Sequence, residues 1–263
     1  TEVWTGIILS GLYIYLDLSV FTDIAIGISI RLGIDTIENF NHPYLATSVT
    51  DFWRRWHISL STWLRDYIFY PLSIQSRRCN QAVMQPANIL ITFLICGLWH
   101  GPTLGFLIWG GLHGVYQSVG ILFSNTKKWF KKKTGHRITI NQAVSVLFTF
   151  VLVNLTWVFF LSNSFNQALE IFRGLFSWKG TFSIFSNQFG LDIQDYRVLG
   201  ICLLFLFVYE LIEELSKLNL LKSLQHQELI TRWLVYLILV FVAIIFGYYG
   251  SGVVVFDPFY MQF

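Results

Sequence analysis

From Trp4 to Ile30 the chain stays apolar long enough to cross a bilayer at about 1.5 Å per residue, yet Asp17 and Asp23 stand inside the run. No other feature narrows the choice of folds as much. In hydrocarbon every backbone amide must find its partner within the protein, so a crossing segment of this kind is a helix. A carboxylate at mid-membrane costs on the order of 2.5–3.5 kcal/mol. Asp17 and Asp23 are therefore expected to face protein or a water-lined cavity instead of lipid. Arg31 and Asp35 mark the exit into a loop with turn residues and one proline, GIDTIENFNHPYLATSVT.

Further apolar segments follow. Asn88 to Leu98 is too short to cross alone; GLWHGPTLG interrupts it and Leu104 to Phe123 continues. Pro102 has no amide donor and disfavours helix at the residue before it, so a broken helix is expected there. Such backbone is tolerated at membrane depth only where it is buried in protein or lines a cavity. Gly97, Gly101 and Gly105 recur every four residues, as do Gly110 and Gly114, a spacing that lets helices approach closely. Tight packing accounts for those glycines but not for His100 among them. More crossings are expected at Ala143–Leu161, Val198–Ile212 and Leu234–Tyr249. An extracytoplasmic segment, Ser162–Asp195, separates the first two, and Glu210–Arg232 returns to the cytoplasm.

KKWFKKKTGHR, Lys127 to Arg137, has six Lys or Arg and no acid, which marks it as a cytoplasmic loop. The net charge of +3 is concentrated there and does not indicate nucleic acid. With 54% hydrophobic and 13% charged residues, against roughly a quarter charged in soluble domains, lipid must be the solvent for much of the surface. The cysteines Cys79, Cys96 and Cys202 have no paired spacing and read as thiols, not as a disulfide framework or a zinc site. The expectation is one all-α, polytopic transmembrane domain over residues 1–263, with no bound cofactor or metal. Because the chain starts at Thr1 and is apolar by Val3, it reads as the C-terminal portion of a longer protein whose upstream helices are missing.

The most polar stretch inside this apolar chain is DFWRRWHISLSTWLRDYIFYPL, Asp51 to Leu72. Read as one helix, it places Trp53, Trp56, Leu60, Trp63 and Tyr67 on one stripe. Arg54, His57, Ser61 and Arg65 form a second stripe, and Asp51, Arg55, Thr62 and Asp66 a third. An interfacial helix anchored by Trp and snorkelling Arg fits much of this pattern. Anchoring does not require His57 in the middle of a polar stripe.

The run NFNHPYLATSVTDFWRRWHISLSTWLRDYIFYPL, followed by GLWHGPTLGFLIWGGLHG, resembles the membrane-bound O-acyltransferase family, in its alginate and polysaccharide O-acetyltransferase branch. The ending FDPFYMQF also resembles that branch. The resemblance implies a helical fold with broken or re-entrant helices around a central tunnel. It implies that His100 is the family's near-invariant histidine and that His57 matches a second polar position, so these two are the candidate catalytic residues. Asp17, Trp53, Arg54, Trp56, Arg65, Trp99 and His113 are the candidates for lining substrate. The family implies transfer of an acyl group, usually acetyl, from a cytoplasmic thioester such as acetyl-CoA to an exported polysaccharide. An SGNH-hydrolase-like protein or a small membrane subunit often completes the relay, in the inner (plasma) membrane of a bacterium. A related branch carries D-alanine to teichoic acid. The chain departs from the branch at Val20 and at Ser73–Ile74, where glycines are usual.

The chemistry suits those residues. Acyl transfer needs a hydroxyl relieved of its proton and a polarised carbonyl, and histidine takes protons near neutral pH. His57, Arg54 or Trp99 would orient the His100 imidazole or donate to the oxyanion. His113 stays open between packing and a supporting role. No H-E-x-x-H, P-loop or G-x-S-x-G is present, and the six histidines lack the clustering of a di-iron oxygenase. A transporter or flippase, and a scaffold subunit without catalysis, remain the rival readings.

Overall fold

The computed structural model of the protein describes residues 2–134, 141–176 and 193–246. Among them are eleven α-helices and no strand. The described residues fall into two units, one up to residue 176 and one of residues 193–246. In the first unit, four helices are long and apolar enough to cross a membrane: α1 (Glu2–Arg31), α5 (Gln81–His100), α6 (Leu104–Thr134) and α7 (Gln142–Leu161). The chain is an integral membrane protein.

Helices α5 and α6 correct the sequence reading. One broken crossing was expected at Asn88–Phe123; the chain instead makes two crossings that turn back on each other. Helix α5 begins earlier than the apolar run because Asn80 caps it, its side chain accepting from the Ala82 amide at 3.0 Å. The turn comes at Gly101, whose φ of 155° is open to glycine but strained for other residues. A Cβ on Gly97 would overlap the Phe106 carbonyl, and one on Gly110 the Phe93 carbonyl. The Gly114 Cβ position lies 3.0 Å from Leu90 Cα. The pairs 97/106, 93/110 and 90/114 define an antiparallel hairpin whose backbones touch because those positions have no side chain. Residues 127–134 of the expected basic loop are the last turns of α6, as befits lysine's good helix propensity; residues 135–140 lie outside the described residues.

Helix α1 runs antiparallel to α7. Ile7 packs with Val158, and a Cβ on Gly11 would overlap the Asn154 side chain. Tyr44 donates to the Gly11 carbonyl at 2.6 Å. Helix α8 (Phe165–Phe176) lays Ala168 into the same small cluster. Ser164 and Gln167 cap it: the hydroxyl accepts from the Gln167 amide, and the Gln167 side chain accepts from the Asn163 amide.

Between α1 and α5 lie α2 (Val49–Arg55), α3 (Ile58–Leu64) and α4 (Tyr70–Gln75). Ser48 caps α2 through the Asp51 amide, while the Asp51 carboxylate accepts from the Thr47 amide and pairs with Arg55 at 3.2 Å. The single striped helix expected over this stretch is broken. Trp56 is extended and His57 is left-handed at φ 41°, ψ 58°. Such a conformation in a non-glycine residue costs on the order of 1–3 kcal/mol and persists where surroundings enforce it. Here Asn39 enforces it: its carbonyl accepts from the Ile58 amide and its side chain from the Ser59 amide, each at 3.0 Å. The break regroups the stripe. Trp53, Trp56 and Leu60 are buried, whereas Trp63 and Tyr67 are exposed. Residues Arg65–Phe69 form a π-turn closed by the Tyr70 amide on the Arg65 carbonyl, just ahead of Pro71, which has no donor.

The second unit holds α9 (Ile193–Ser216), α10 (Leu220–Gln225) and α11 (Leu229–Phe246). Helix α11 is apolar from Trp233 onward but shorter than the four spanning helices. The start of α9 takes in part of the expected Ser162–Asp195 segment, and residues 177–192 of that segment lie outside the described residues. Its end takes in Glu210 to Ser216 of the expected connection. The last residues of the expected 234–249 crossing and the FDPFYMQF ending also lie outside the described residues.

Candidate active site

The interior of the first unit is built from aromatic rings. Trp56, Trp109 and Trp157 are each 1% exposed, and Phe52 and His113 are fully buried. Trp109 stacks on Trp157 with ring centroids 5.6 Å apart. Lipid is as apolar as any side chain, so packing and hydrogen bonds, not expulsion of water, hold such helices together.

One hydrogen-bonded chain crosses this interior. The Trp53 indole donates to His113 Nδ1 at 3.1 Å. An indole has no acceptor, so Nδ1 carries no proton and Nε2 carries it. Nε2 then donates to Thr156 Oγ1 at 3.0 Å, and that hydroxyl donates to the Val153 carbonyl at 2.7 Å. Every polar atom of the His113 ring is used, and α2, α6 and α7 are tied through it.

His100 is the last residue of α5, 6% exposed. Trp109 and Phe160 meet its ring edge to face at 5.1 Å, and Trp99 does so at 4.9 Å. His57 and His100 lie within electrostatic reach of each other. The two histidines, 43 positions apart in sequence, are close enough for the charge on one to be felt at the other. Burial pushes the His57 imidazole down to about 4 from its ordinary 6.5, against a smaller opposing hydrogen bond to its own backbone. At neutral pH His57 is therefore an uncharged imidazole.

The other sequence candidates separate. Trp53, Trp56 and His113 are in the aromatic interior, whose rings also surround His100. Trp99 is 60% exposed while its ring edge meets His100. Asp17 is half-buried with Oδ2 enclosed and without a hydrogen-bond partner, whereas Asp23 is exposed. Arg54 and Arg65 are exposed, and Arg65 binds Asp66 at 2.8 Å with its guanidinium 5.7 Å from the Tyr70 ring centre.

Some members of the site carry no signal in the sequence. The indole N–H groups of Trp109 and Trp157 are buried without hydrogen-bond partners, leaving two donors in the rings around the histidines. Trp109 was legible only as the residue one turn before His113 in WGGLHG. Trp157 and Thr156 sit in an α7 that is apolar almost throughout, so nothing distinguished them. Asn39 was one polar loop residue among several.

A sequence model of the membrane-bound O-acyltransferase family matches residues 3–162. The peptidoglycan O-acetyltransferase of Helicobacter pylori is 36% identical over 179 residues, 68% of this chain and 32% of its own length. The probable alginate O-acetylase AlgI of Pseudomonas aeruginosa is 34% identical over 189 residues, 70% of this chain and 33% of its own length. The teichoic acid D-alanyltransferase of Bacillus subtilis is 33% identical over 144 residues, 53% of this chain and 36% of its own length. The chain spans about a third of the length of the curated relatives it matches.

Proposed function

The chain belongs to the membrane-bound O-acyltransferase family, and on that premise we propose that it passes an acetyl group from a cytoplasmic thioester to a hydroxyl of an exported polysaccharide. The observation that carries this reading is the placement of His100 in the aromatic interior, its ring against Trp109 and Phe160, with His57 within electrostatic reach. His100 is the general base. It takes the proton of the attacking hydroxyl, while the unpartnered Trp109 indole N–H, on the ring that meets His100, donates to the carbonyl oxygen as charge develops there. His57, neutral at working pH, supports the His100 imidazole.

Sidedness follows from charge. With the basic end of α6 in the cytoplasm, the Gly101 turn and His100 belong to the opposite half of the membrane, where an exported acceptor arrives. The donor is acetyl-CoA or another acyl thioester, and the membrane is a bacterial inner membrane. An SGNH-hydrolase-like or small membrane partner carries the group onward. Acetyl is preferred to D-alanyl because relatives named as O-acetyltransferases match about two thirds of the chain, against 53% for a D-alanyltransferase.

The test is acetyl turnover by the purified protein and acetyl content of the exported polymer. His100→Ala should stay folded yet lose roughly 10²–10⁴-fold in transfer, the scale of general base catalysis. His57→Asn should retain more activity than His57→Ala, and the double variant should be hardly worse than His100→Ala. Near-normal turnover in well-folded His100→Ala would sink the reading in favour of a scaffold or transporter.

A further inference from the structure

The rings of Trp99, Phe106, Trp109 and Phe160 meet the His100 imidazole. Three of them close on one another. Phe106 and Trp109 lie against Phe160 with ring centres 4.9 and 5.0 Å away, and all three are buried. Trp99 is different: it is 60% exposed although its ring centre is 4.9 Å from that of His100. A general base has to come within about 3 Å of the hydroxyl it deprotonates, so whatever carries that hydroxyl rests on accessible surface beside His100. Of these four rings, Trp99 is the one that offers such surface.

The indole is also held in place and stands in neutral surroundings. Trp99 is the penultimate residue of α5, whose end is closed by the Gly101 amide on the Leu98 carbonyl at 3.2 Å. The vacant Cβ position of Gly101 lies 2.8 Å from the Phe106 ring, so the turn is seated on the rings that enclose His100. Leu98, Pro102, Thr103 and Leu104 around it are exposed, and no Asp, Glu, Lys or Arg stands anywhere from Gln81 to Thr126. Such a surface does not hold a ligand by charge. It fits one with a flat apolar face and hydroxyls at the rim, which is the build of a pyranose ring. The C–H groups of that face are weakly attracted to the negative face of an aromatic ring. One sugar residue laid on the indole reaches across to the neighbouring imidazole and sets a rim hydroxyl beside it.

We propose that Trp99 is the acceptor platform: a pyranose unit of the exported polysaccharide stacks on its exposed indole and so presents a ring hydroxyl to His100. The proposal rests on the acyl-transfer reading above and adds the contact that places the acceptor. Trp99 moves no proton. It decides where the sugar ring lies, and the part of the rim that then faces His100 decides which hydroxyl is acetylated. An exposed tryptophan near a helix end also serves as a membrane anchor at the headgroup level, but anchoring does not require the indole to border the general base.

The experiment is acetyl transfer by the intact protein in nanodiscs, from acetyl-CoA to two soluble acceptors, a β-1,4-linked oligosaccharide of N-acetylglucosamine and one of mannuronate. Trp99→Leu keeps apolar bulk but has no aromatic face. It should raise the acceptor KM by about tenfold or more and change kcat by less than about threefold, the split left when binding is lost without chemistry. Trp99→Phe keeps a flat ring and should stay within about threefold of wild type in both. Binding is read separately by fluorine NMR of protein labelled with fluorotryptophan at its ten tryptophans. The resonance missing in Trp99→Phe should move when oligosaccharide is added without acetyl-CoA. An unchanged KM in Trp99→Leu with an unmoved resonance would overturn the platform and leave the acyltransferase reading standing. So would a fall in kcat alone, which makes Trp99 a support for the His100 ring, or a resonance that answers only to a change of lipid headgroup. Transfer to a partner protein's hydroxyl and never to sugar would overturn it too. If the wild type consumes no thioester with any acceptor, both readings fall.

Discussion

Replacing His113 by Phe tests how the interior is held. The substitution keeps a flat ring of similar shape in a fully buried position, so it opens little cavity. It removes Nδ1, the acceptor of the Trp53 indole at 3.1 Å. Trp53 is 6% exposed, so its N–H has no water to turn to. Leaving one buried donor unpaired costs about 1–3 kcal/mol. The Thr156 side is spared, because that hydroxyl keeps its bond to the Val153 carbonyl. Trp53→Phe leaves the opposite orphan, the bare Nδ1 acceptor, and adds a packing loss from the smaller ring. In the double variant neither orphan exists. The two single costs should therefore exceed the double cost by about 1 kcal/mol or more, a coupling of the size expected for residues in direct contact. Unfolding in mixed micelles of mild detergent and dodecyl sulfate measures each free energy. Costs that add to within about 0.3–0.5 kcal/mol would refute the hydrogen bond as an energetic link between α2 and α6.

Three further outcomes are expected. Because burial holds His57 near 4 in the folded protein against 6.5 unfolded, the unfolded chain binds more protons between those values. The stability that neutral His57 contributes is full above about pH 6.5 and is lost as pH falls through 4. Unfolding measured from pH 7 to pH 4 should show this loss in the wild type and a smaller one in His57→Asn; parallel curves would contradict it. Gly110→Ala should destabilise the α5–α6 hairpin by about 1–3 kcal/mol, because its methyl would overlap the Phe93 carbonyl, a backbone atom with nowhere to go; unchanged unfolding would show that the helices part freely. A Cys at Thr134, in protein lacking Cys79, Cys96 and Cys202, should resist an impermeant thiol reagent in intact cells, and ready labelling there would reverse the assigned orientation.

The sequence carried the crossings well where one physical signal dominated. Apolar length alone located α1, α6 and α7, because in lipid the backbone has no alternative to helix. It misjudged α5, whose start is set by a capping asparagine and not by hydropathy, and so it read a hairpin as a single broken crossing. The glycines in that region were rightly taken as contact points, but their spacing does not say which helix they contact. The Asp51–Leu72 stretch shows the limit more sharply. Its helical stripes were real periodicities, yet the chain bends at His57 because Asn39, far off in the loop, offers better partners to the Ile58 and Ser59 amides.

That bend is where fold and chemistry join. A straight helix would fix His57 relative to Trp53 by the helical repeat alone, with both on a rigid rod. The left-handed step frees the imidazole from that repeat: Trp53 can be locked into the interior through His113 while the His57 ring meets the Ser59 hydroxyl. Asn39 holds this arrangement from outside the polar stretch. Replacing Asn39 by Ala should therefore disturb the site through His57 while leaving the Trp53–His113–Thr156 chain, and with it the aromatic interior, in place.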